Sequence, residues 1–463
     1  MIALLLLFGS AFVFALAVTP GLRGLALRWG FVDYPDHRKL HSSPTARVGG
    51  FAVLTSYALA FGTAFLIRGT QVPLLLRIAP AVLVIFATGL ADDLWDIRPW
   101  QKFTGQILAA MLAFASGVHI LFGGQEVAGW LCFLSTVFWL VLCTNAVNLI
   151  DGMDGLAAGV GLFATITTLV AALLQNNYDL ALAVAPLAGC LLGFLRYNFH
   201  PATVFLGDSG SLAIGFFLGC CSVIWSEKSA TILGMTAPVL ALSIPLLDTG
   251  LAVARRFLRG KPIFGADRGH IHHRLLDRGF TPRRAALLLY GISGVGSLFA
   301  LLAMNRHTEG VVIVLFCAAA WAGIQRLGFV ELKVAGRMLR KGAFTGLLNS
   351  HMELETLEAR IGNAETVEEC WEVVQDSAEA FGFRATKMTL AGRRFQGRTH
   401  GQTQASGAPN WHLRITVSEF EWLELSRNPE GAAHASVTAL ADTLARALQA
   451  RPQRCRTSMT YSH

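Results

Sequence analysis

The feature of this sequence that most limits its fold is a series of long apolar segments separated by short polar loops. A bilayer core about 30 Å thick requires roughly 20 apolar residues per helix. Eleven segments approach that length: 2–27, 48–67, 78–97, 103–122, 128–147, 155–175, 179–197, 210–226, 231–256, 284–304 and 309–328. Hydrophobic residues make up 53% of the chain and charged residues only 15%. The sequence therefore predicts an all-α polytopic membrane protein with about eleven transmembrane helices.

The distribution of Lys and Arg predicts the orientation of these helices. One set of alternating loops contains 16 of these bases and the other set contains 4. Cytoplasmic loops of membrane proteins carry the excess of Lys and Arg, so the basic set should be cytoplasmic. The N-terminus is then outside and the C-terminus inside. The net charge of +8 is explained by these loops and predicts no nucleic-acid partner.

The chain changes character after residue 328. Apolar density falls, and charged residues occur throughout 329–463. The stretches LETLEARIG and VEECWEVVQDSAEAFGF are typical of helices, RATKMTL and WHLRITV of strands, and ASVTALADTLARALQA of a closing helix. The stretch GRTHGQTQASGAPN is typical of a mobile loop. We therefore expect a membrane domain over 1–328 and a small soluble α/β domain over 329–463.

Five polar clusters fall on the predicted cytoplasmic side, where ionisable groups at the edge of lipid usually mark function. The first, 33–50, contains Arg38, Lys39, His41 and Arg47, and it could also be an ordinary basic loop. The second contains Asp92 and Asp93, followed by Lys102. Adjacent carboxylates repel, so a buried pair needs a proton or a metal, and Mg²⁺ with phosphate oxygens suits them. A solvated helix end is the alternative.

The third and fourth clusters combine carboxylates with glycine. Asn145, Asn148, Asp151 and Asp154 recur every three residues, with glycines after both aspartates. This pattern predicts a broken helix end that directs several polar side chains into one cavity. Asp208 lies in FLGDSGSLAIG, directly before an apolar segment, where a helix N-terminus could bind phosphate. An ordinary helix cap is the alternative.

The fifth cluster, 248–279, is a basic segment with a His-x-His-His motif. Its basic residues and histidines include Arg255, Arg256, Arg259, Lys261, Arg268, His270, His272, His273 and Arg274. Histidines at this spacing could bind zinc, but dense arginines repel a cation and favour a diphosphate. A plain basic loop remains the third interpretation. Together the five clusters predict a Mg²⁺-diphosphate site at the membrane surface, and hence phosphoryl transfer to or from a lipid.

Two other classes of protein share some of these sequence features. An anion transporter could also use basic residues and broken helices, but transporter sites lie near the bilayer midplane, whereas these clusters lie at helix ends on one face. A membrane sensor that works through its soluble tail would not require the diphosphate site.

The motifs RKLHSSPTARVGG, ADDLWDI, NAVNLIDGMDGLAAG, FLGDSGSLAIG and DRGHIHHRLL resemble, in the same order, those of the polyprenyl-phosphate N-acetylhexosamine-1-phosphate transferase family. The resemblance covers about residues 1–328. It implies a phosphotransferase of the bacterial inner membrane, with its active site and C-terminal domain cytoplasmic. The lipid phosphate would attack the β-phosphorus of a UDP-sugar and release UMP. Such enzymes initiate surface glycans such as O-antigen or teichoic acid.

The resemblance also implies roles for individual residues. Asp208, aided by Asn148, would ligate Mg²⁺, with Mn²⁺ as a substitute. Asp92 or Asp93 would be the base for the lipid phosphate or would hold the metal, and Lys102 would contact phosphate. The remaining substrate-binding residues would be Lys39, Asp151, Asp154, Arg268, His270, His272 and His273.

The ending DRGHIHHRL is similar to the N-acetylglucosamine branch of the family, so UDP-GlcNAc is the first expectation. UDP-GalNAc, UDP-FucNAc and UDP-QuiNAc stay open. The phospho-MurNAc-pentapeptide step of peptidoglycan synthesis is the alternative within the family. Expected partners are the UDP-sugar and undecaprenyl phosphate or another polyprenyl phosphate, and the resemblance leaves room for a homodimer and for downstream glycosyltransferases.

Overall fold

A computed structural model describes residues 1–34, 44–69, 73–121, 129–227, 235–258, 269–326, 354, 356–380, 383, 385–398, 411–418, 420–427 and 434–450. Contacts divide the chain into two compact units, Met1–Glu331 and Leu332–His463. The loop residues Arg38, Lys39 and His41, as well as Arg259, Lys261 and Arg268, lie outside the described residues.

The first unit is a helical bundle. Its described helices are α1 (Ile2–Trp29), α2 (Gly49–Arg68), α3 (Pro73–Trp95), α4 (Pro99–Ala115), α5 (Gly129–Ile150), α6 (Leu156–Leu174), α7 (Tyr178–Asn198), α8 (Gly207–Glu227), α9 (Thr236–Ala241), α10 (Ser243–Leu258), α11 (Ile271–Asp277), α12 (Pro282–Leu302) and α13 (Arg306–Arg326). Among the described residues, eight helices are long and apolar enough to cross a membrane: α1, α2, α3, α5, α6, α7, α8 and α12. The fold is therefore that of a mostly helical, membrane-embedded protein.

Three of the eleven predicted segments differ from the other eight. The segment predicted at 103–122 is α4, which begins earlier than predicted, at Pro99. It also ends earlier, at Ala115, and therefore has only 17 residues. Proline suits the first turn of a helix, where its missing N–H costs nothing. The segment predicted at 309–328 is α13, whose apolar part, His307–Gly323, is shorter than a full span.

The segment predicted as one helix at 231–256 is two helices, α9 and α10, divided at Leu242. The physical reason lies in the sequence Ser243-Ile244-Pro245. The Pro245 ring cannot continue a helix from the preceding turn, but it fits the first turn of a new one. The periodicity of apolar residues carries no information about this break.

A small sheet joins two loops that are far apart in sequence. Strand β1 (Val32–Asp33) pairs antiparallel with β2 (Thr45–Arg47), and β2 pairs parallel with β3 (Val204–Phe205). The register sets Arg47 opposite Phe205, just before α8 begins at Gly207. This sheet, which the sequence did not predict, places Asp33 and Arg47 beside the start of α8.

Helix α8 lies at the centre of the bundle. It packs against α2, α3, α5 and α6. Its side chains are apolar and mostly buried, as shown by Leu212, Phe216 and Cys220, which are 0% exposed. Because α8 is enclosed by these helices, its first residues are held where the ends of α3 and α5 meet.

The second unit contains a four-stranded antiparallel sheet and helices. The strands are β4 (Ala385–Leu390), β5 (Arg393–Arg398), β6 (Trp411–Thr416) and β7 (Trp422–Arg427), in the order β5-β4-β7-β6. The helices are a stretch over 356–363, Val367–Ala380 and His434–Ala450. The predicted helices and the strands β4 and β6 are present, whereas β5 and β7 were not predicted.

Candidate active site

The polar residues of the membrane unit gather around the side chain of Lys102 in the first turn of α4. Its Nζ lies 3.1 Å from Asp92 Oδ2 and 3.4 Å from Asn148 Oδ1, and it also contacts Asp208 Oδ2. These partners come from the C-terminal end of α3, the last turn of α5 and the first turn of α8. Four sequence-predicted residues are thus in one cluster, with the Lys102 side chain only 18% exposed.

Asp93 has a different environment from Asp92. Its Oδ1 accepts a hydrogen bond from the backbone N–H of Asp208 at 2.8 Å, and its Oδ2 accepts one from Ser209 at 2.9 Å. These N–H groups are at the N-terminus of α8, where a carboxylate is favoured by unpaired donors and by the helix dipole. Asp93 therefore holds the start of α8, while Asp92 faces Lys102.

Gly207 makes this arrangement possible. Its φ of +75° lies in the left-handed region, which strongly favours glycine. A Cβ at this position would lie 2.8 Å from Asp93 Oδ2. A side chain here would therefore push the Asp93 carboxylate away from the two N–H groups that donate hydrogen bonds to it.

The two carboxamide side chains near the end of α5, Asn145 and Asn148, have different hydrogen-bond partners. Asn148 accepts from Lys102, and its Nδ2 donates to Ser211 Oγ at 2.9 Å. Asn145 instead exchanges hydrogen bonds with Gln106 of α4, at 2.6 and 3.2 Å. The predicted break in the helix after Ile150 is present, but Asn145 faces the helix interface rather than the cavity.

Asp151 lies in the turn between α5 and α6. Burial, with the neighbouring carboxylates of Asp208 and Asp93, raises the pKa of Asp151 well above its ordinary value, while Arg47 opposes this shift. The Arg47 guanidinium itself is 3.0 Å from Asp33 Oδ1. A further negative charge is thus disfavoured beside Asp208, and an added cation would relieve this repulsion.

The second acidic residue of that motif, Asp154, is paired with a residue that the sequence did not indicate as part of the site. Its Oδ2 lies 2.8 Å from His200 Nδ1 and accepts the backbone N–H of Ala202 at 3.0 Å. The one sequence feature that could have indicated a site role for His200 is its position in the loop 196–209, on the predicted cytoplasmic side. The dipeptide His200-Pro201 matched no motif by itself, and its pairing with Asp154 depends on how α7 packs against α6.

The three histidines of the basic segment do not share one role. His270 Nδ1 lies 3.1 Å from Asp248 Oδ2, and the other oxygen of Asp248 accepts the backbone N–H of Ile271 at 2.8 Å. Asp248 on α10 thus fixes the start of α11. His273 lines a polar cavity that Asp154 and Asp208 also line, whereas His270 and His272 do not line it.

His272 is buried at 2% exposure next to Gly152, where an added Cβ would lie 2.7 Å from His272 Nε2. Burial, together with His273, lowers the pKa of His272 to about 4 despite the presence of Asp248. Within the part of the chain that the structure describes, neither ring nitrogen has a hydrogen-bond partner. His272 is therefore neutral at pH 7 and cannot bind a phosphate through charge.

The main polar cavity adjoins the Lys102 cluster at Asp208 and has a volume of ≈ 270 Å³. It combines acidic and basic side chains from the ends of several helices and from the small sheet: Asp33, Arg47, Asp151, Asp154, Asn198, His200, Asp208 and His273. A mixed lining of this kind suits a ligand that has both anionic and neutral polar parts.

The oxygen donors near Lys102 fit a hard divalent cation. The described residues contain no group of three or more His, Cys, Asp or Glu side chains arranged to hold a metal. Mg²⁺, however, is usually bound by one or two carboxylates together with water and substrate phosphates. Asp208, with Asn148 beside it, supplies such a partial set, and the Lys102 ammonium marks a position where positive charge is stabilised.

A second cavity, of ≈ 330 Å³, lies between α2, α3 and α8 and is lined almost entirely by apolar side chains. Gly50 of α2 and Gly210 of α8 are among its lining residues. The N–H of Gly50 donates to Leu206 O at 2.8 Å, and a Cβ on Gly50 would lie 2.8 Å from the carbonyl carbon of Ser209. Helices α2 and α8 are therefore in close contact between this cavity and the carboxylate cluster.

Comparisons with known proteins identify a family and several relatives of this chain. The model of glycosyl transferase family 4 matches residues 75–226, which include Asp92, Lys102, Asn148 and Asp208. A probable undecaprenyl-phosphate N-acetylglucosaminyl 1-phosphate transferase of Bacillus subtilis (strain 168) is 33% identical over 65% of this chain and 85% of the relative.

Two further relatives carry similar names. Decaprenyl-phosphate N-acetylglucosaminephosphotransferase of Mycolicibacterium smegmatis is 36% identical over 61% of this chain and 77% of its own length. Undecaprenyl-phosphate alpha-N-acetylglucosaminyl 1-phosphate transferase of Escherichia coli (strain K12) is 30% identical over 67% of this chain and 87% of its own length. The chain therefore belongs to glycosyl transferase family 4 and is a member of the polyprenyl-phosphate N-acetylhexosamine-1-phosphate transferases that its motifs resemble.

Proposed function

We propose that this protein transfers N-acetylglucosamine 1-phosphate from UDP-GlcNAc to a polyprenyl phosphate and releases UMP, as the first step of a cell-surface glycan such as O-antigen or teichoic acid. The observation that carries the proposal is the cluster of Asp92, Lys102, Asn148 and Asp208 at the mouth of a mixed-charge cavity. The names of the relatives support the choice of sugar and lipid.

The proposed reaction forms one bond at the β-phosphorus and breaks another. An oxygen of the lipid phosphate forms a bond to the β-phosphorus of the UDP-sugar. The bond between that phosphorus and the oxygen bridging to the α-phosphorus breaks, and this oxygen leaves as part of UMP. The protein's contribution to such a reaction is mainly positioning and neutralisation of charge.

The geometry suggests a separate role for each polar residue. Asp92, which faces Lys102 rather than backbone donors, is the candidate base for the lipid phosphate. Lys102 would bind phosphate, and Asp93 would position Asp208 through the N-terminus of α8. Asp208 and Asn148 would hold Mg²⁺, or Mn²⁺ in its place, which when bound neutralises the diphosphate. Arg47 and His273 line the cavity and would face the donor.

We also infer that all eleven apolar segments cross the cytoplasmic membrane, with the N-terminus outside. The loop charges support this orientation, and the site residues lie at the ends of helices that alternate in direction along the chain. Residues 329–463 would then be a cytoplasmic α/β domain. A homodimer and contacts with downstream glycosyltransferases remain part of this proposal.

The decisive experiment follows UMP release by purified full-length protein supplied with Mg²⁺, undecaprenyl phosphate and a panel of UDP-sugars. We expect UMP with UDP-GlcNAc and a lipid product that carries the sugar phosphate. Release with UDP-MurNAc-pentapeptide instead would favour the peptidoglycan step. Folded protein that releases no UMP with any sugar would contradict the proposal, and this is the outcome that an anion transporter would give.

Asp208→Asn should reduce turnover by at least about 100-fold, because the carboxylate that neutralises the diphosphate site is lost. The matched control is Asp179→Asn, since Asp179 is an exposed residue in the first turn of α7 at the other end of the helices. Melting temperature in detergent should be similar for both variants. Turnover of Asp208→Asn close to that of the control would remove Asp208 from the proposed metal site.

A further inference from the structure

Tyr290 of α12 contacts the turn between α5 and α6 from outside the main polar cavity. Its hydroxyl donates a hydrogen bond to Gly155 O at 2.6 Å. Gly155 is the N-cap residue of α6 and directly follows Asp154, which lines the cavity together with Asp151. Among the described residues, Tyr290 itself does not line that cavity. Any influence of Tyr290 on a ligand there must therefore act through the turn that it contacts.

The ring of Tyr290 lies beside two other aromatic rings. Its centroid is 6.1 Å from that of Phe163 on α6 and 6.3 Å from that of Phe199, the residue directly after α7. Phe199 is followed by His200, whose Nδ1 lies 2.8 Å from Asp154 Oδ2. Tyr290 thus contacts both segments that contribute to this pair, the turn before α6 and the residues after α7.

Gly159 leaves the space that this contact requires. An added Cβ at Gly159 would overlap the ring of Tyr290. Glycine inside a helix costs more conformational entropy than alanine, and Gly159 lies within α6. Its N–H donates to Gly155 O at 2.8 Å, so the same carbonyl accepts a helical hydrogen bond and the tyrosine hydroxyl. A residue that is unfavourable in a helix is therefore found where Tyr290 approaches the backbone.

Two other tyrosines donate to a backbone carbonyl of a neighbouring helix. Tyr57 of α2 donates to Ala183 O of α7 at 2.7 Å, and Tyr197 of α7 donates to Leu16 O of α1 at 2.8 Å. Both of these acceptors lie inside helices. The acceptor of Tyr290 instead caps α6 beside a carboxylate of the cavity. The three bonds are alike in geometry, and only that of Tyr290 ends on the turn of the site.

We propose that Tyr290 is a positioning residue for the donor substrate, because it holds the Asp151–Asp154 turn in the place where that substrate binds. Its hydroxyl fixes the carbonyl of Gly155, and its ring packs against Phe199. This inference rests on the proposed function, since it takes the ligand of the cavity to be a UDP-sugar. It gives α12 a part in donor binding and no part in binding the lipid phosphate, which the proposed function places at the Lys102 cluster.

The test separates KM from kcat in the UMP-release assay with purified full-length protein. Tyr290→Phe removes only the hydroxyl, and Gly155 O keeps its hydrogen bond from the Gly159 N–H. We expect the KM for UDP-GlcNAc to rise about 10-fold through misplacement of the turn, with kcat and the KM for undecaprenyl phosphate within about twofold of the wild type. Gly159→Ala, whose Cβ displaces the ring of Tyr290, should change the KM for UDP-GlcNAc in the same direction.

Tyr57→Phe is the matched control, since it removes a hydroxyl–carbonyl bond of nearly the same length between two other helices. It should leave both KM values unchanged, and the two tyrosine variants should have similar melting temperatures in detergent. The inference is overturned when Tyr290→Phe has the KM of the wild type for UDP-GlcNAc, or when both KM values rise together. An equal rise in Tyr57→Phe would overturn it as well.

Calorimetric titration of UDP in the presence of Mg²⁺ gives a second measurement that does not depend on turnover. Tyr290→Phe should bind UDP about 10-fold more weakly than Tyr57→Phe, and equal Kd values would contradict the positioning role. UDP binding by the wild type without UMP release from any UDP-sugar would count against the proposed transferase reaction, while the Kd values would still test Tyr290. Absence of both binding and release would contradict both proposals.

Discussion

At the scale of single residues, adjacent side chains of the same type have different roles because their neighbours differ. Asp92 and Asp93 are adjacent in sequence, yet one faces the Lys102 ammonium and the other accepts two backbone N–H groups of α8. His272 and His273 diverge in the same way, since only His273 lines the cavity. Residue type identified the candidates, and local contacts assign their roles.

The buried, neutral His272 makes a prediction about pH. Its pKa of about 4 in the folded protein is below the ordinary value of 6.5, so the unfolded chain binds a proton first as the pH falls. The stability due to His272 is fully present above pH 6.5 and is lost between about 6.5 and 4. At pH 5.5 the loss is on the order of 1 kcal/mol by linkage.

The measurement is the melting temperature in detergent at pH 7.5 and pH 5.5. We expect His272→Gln to show a smaller decrease between these two values than the wild type, because the glutamine does not titrate. His307→Gln is the control and should follow the wild type, as its side chain is exposed. An equal decrease in His272→Gln and in the wild type would show that His272 is not a buried neutral histidine.

At the scale of secondary-structure elements, the N-terminus of α8 is the part on which the site depends most. It supplies Asp208 and the two N–H groups that donate hydrogen bonds to Asp93. Strand β3, which pairs with β2, leads directly into it. Its position is therefore fixed from α3 on one side and from the loop that contains Arg47 on the other. A small change at this helix start should affect several site residues together.

Gly207→Ala tests this dependence. A left-handed φ costs a non-glycine residue about 1–2 kcal/mol, and the new Cβ would crowd Asp93 Oδ2. We expect turnover to fall on the order of 10- to 100-fold through misplacement of Asp208. Gly62→Ala, where an added Cβ meets nothing within 4 Å, is the control in α2. Equal turnover of the two variants would contradict the role given to the start of α8.

The elements also show how far the sequence alone can predict the site. Asp92, Lys102, Asn148 and Asp208 were found because polar residues at the ends of apolar segments are costly without a function. Their pairing was not predictable, since Asp93 and Asp208 are 115 residues apart and meet only through the packing of α3 on α8. His200, Asp33 and Asp248 were missed as site residues for the same reason.

The same limit applies to the helices. Apolar length predicted eleven segments, and eight of them correspond to helices long enough to cross a membrane among the described residues. It could not show that α10 is a separate helix with Pro245 in its first turn or that α4 begins at Pro99. The two-residue strands β1 and β3 are too short to leave a sequence pattern. Lys39 and Arg268 lie outside the described residues, so their predicted roles stay predictions.

At the scale of the whole molecule, the site residues all belong to the first of two separate compact units. The second unit, Leu332–His463, has its own buried core, which includes Phe383, Leu390, Leu425 and Leu444. The residues that we assign to catalysis and nucleotide binding lie before residue 332. The membrane unit should therefore have the complete site without the C-terminal domain.

Deletion of 332–463 should leave UMP release intact, with a KM for UDP-GlcNAc close to that of the full chain. The measurement is the transferase assay on both proteins at matched concentration, with the melting temperature as the check on folding. Loss of all activity in a truncated protein that still melts cooperatively would show that the C-terminal domain takes part in the reaction. A raised KM alone would indicate a contribution to substrate binding.

The position of Lys102 has a consequence for how the protein can be handled. Its ammonium already compensates the carboxylates of Asp92 and Asp208, so the cluster has an internal cation before any ligand arrives. Folding should therefore not require the cofactor. The protein should withstand purification in a chelator and should still unfold cooperatively in EDTA, while added Mg²⁺ should raise its unfolding temperature by mass action. Transferase activity, by contrast, should be lost in EDTA and should depend on which divalent cation is added back.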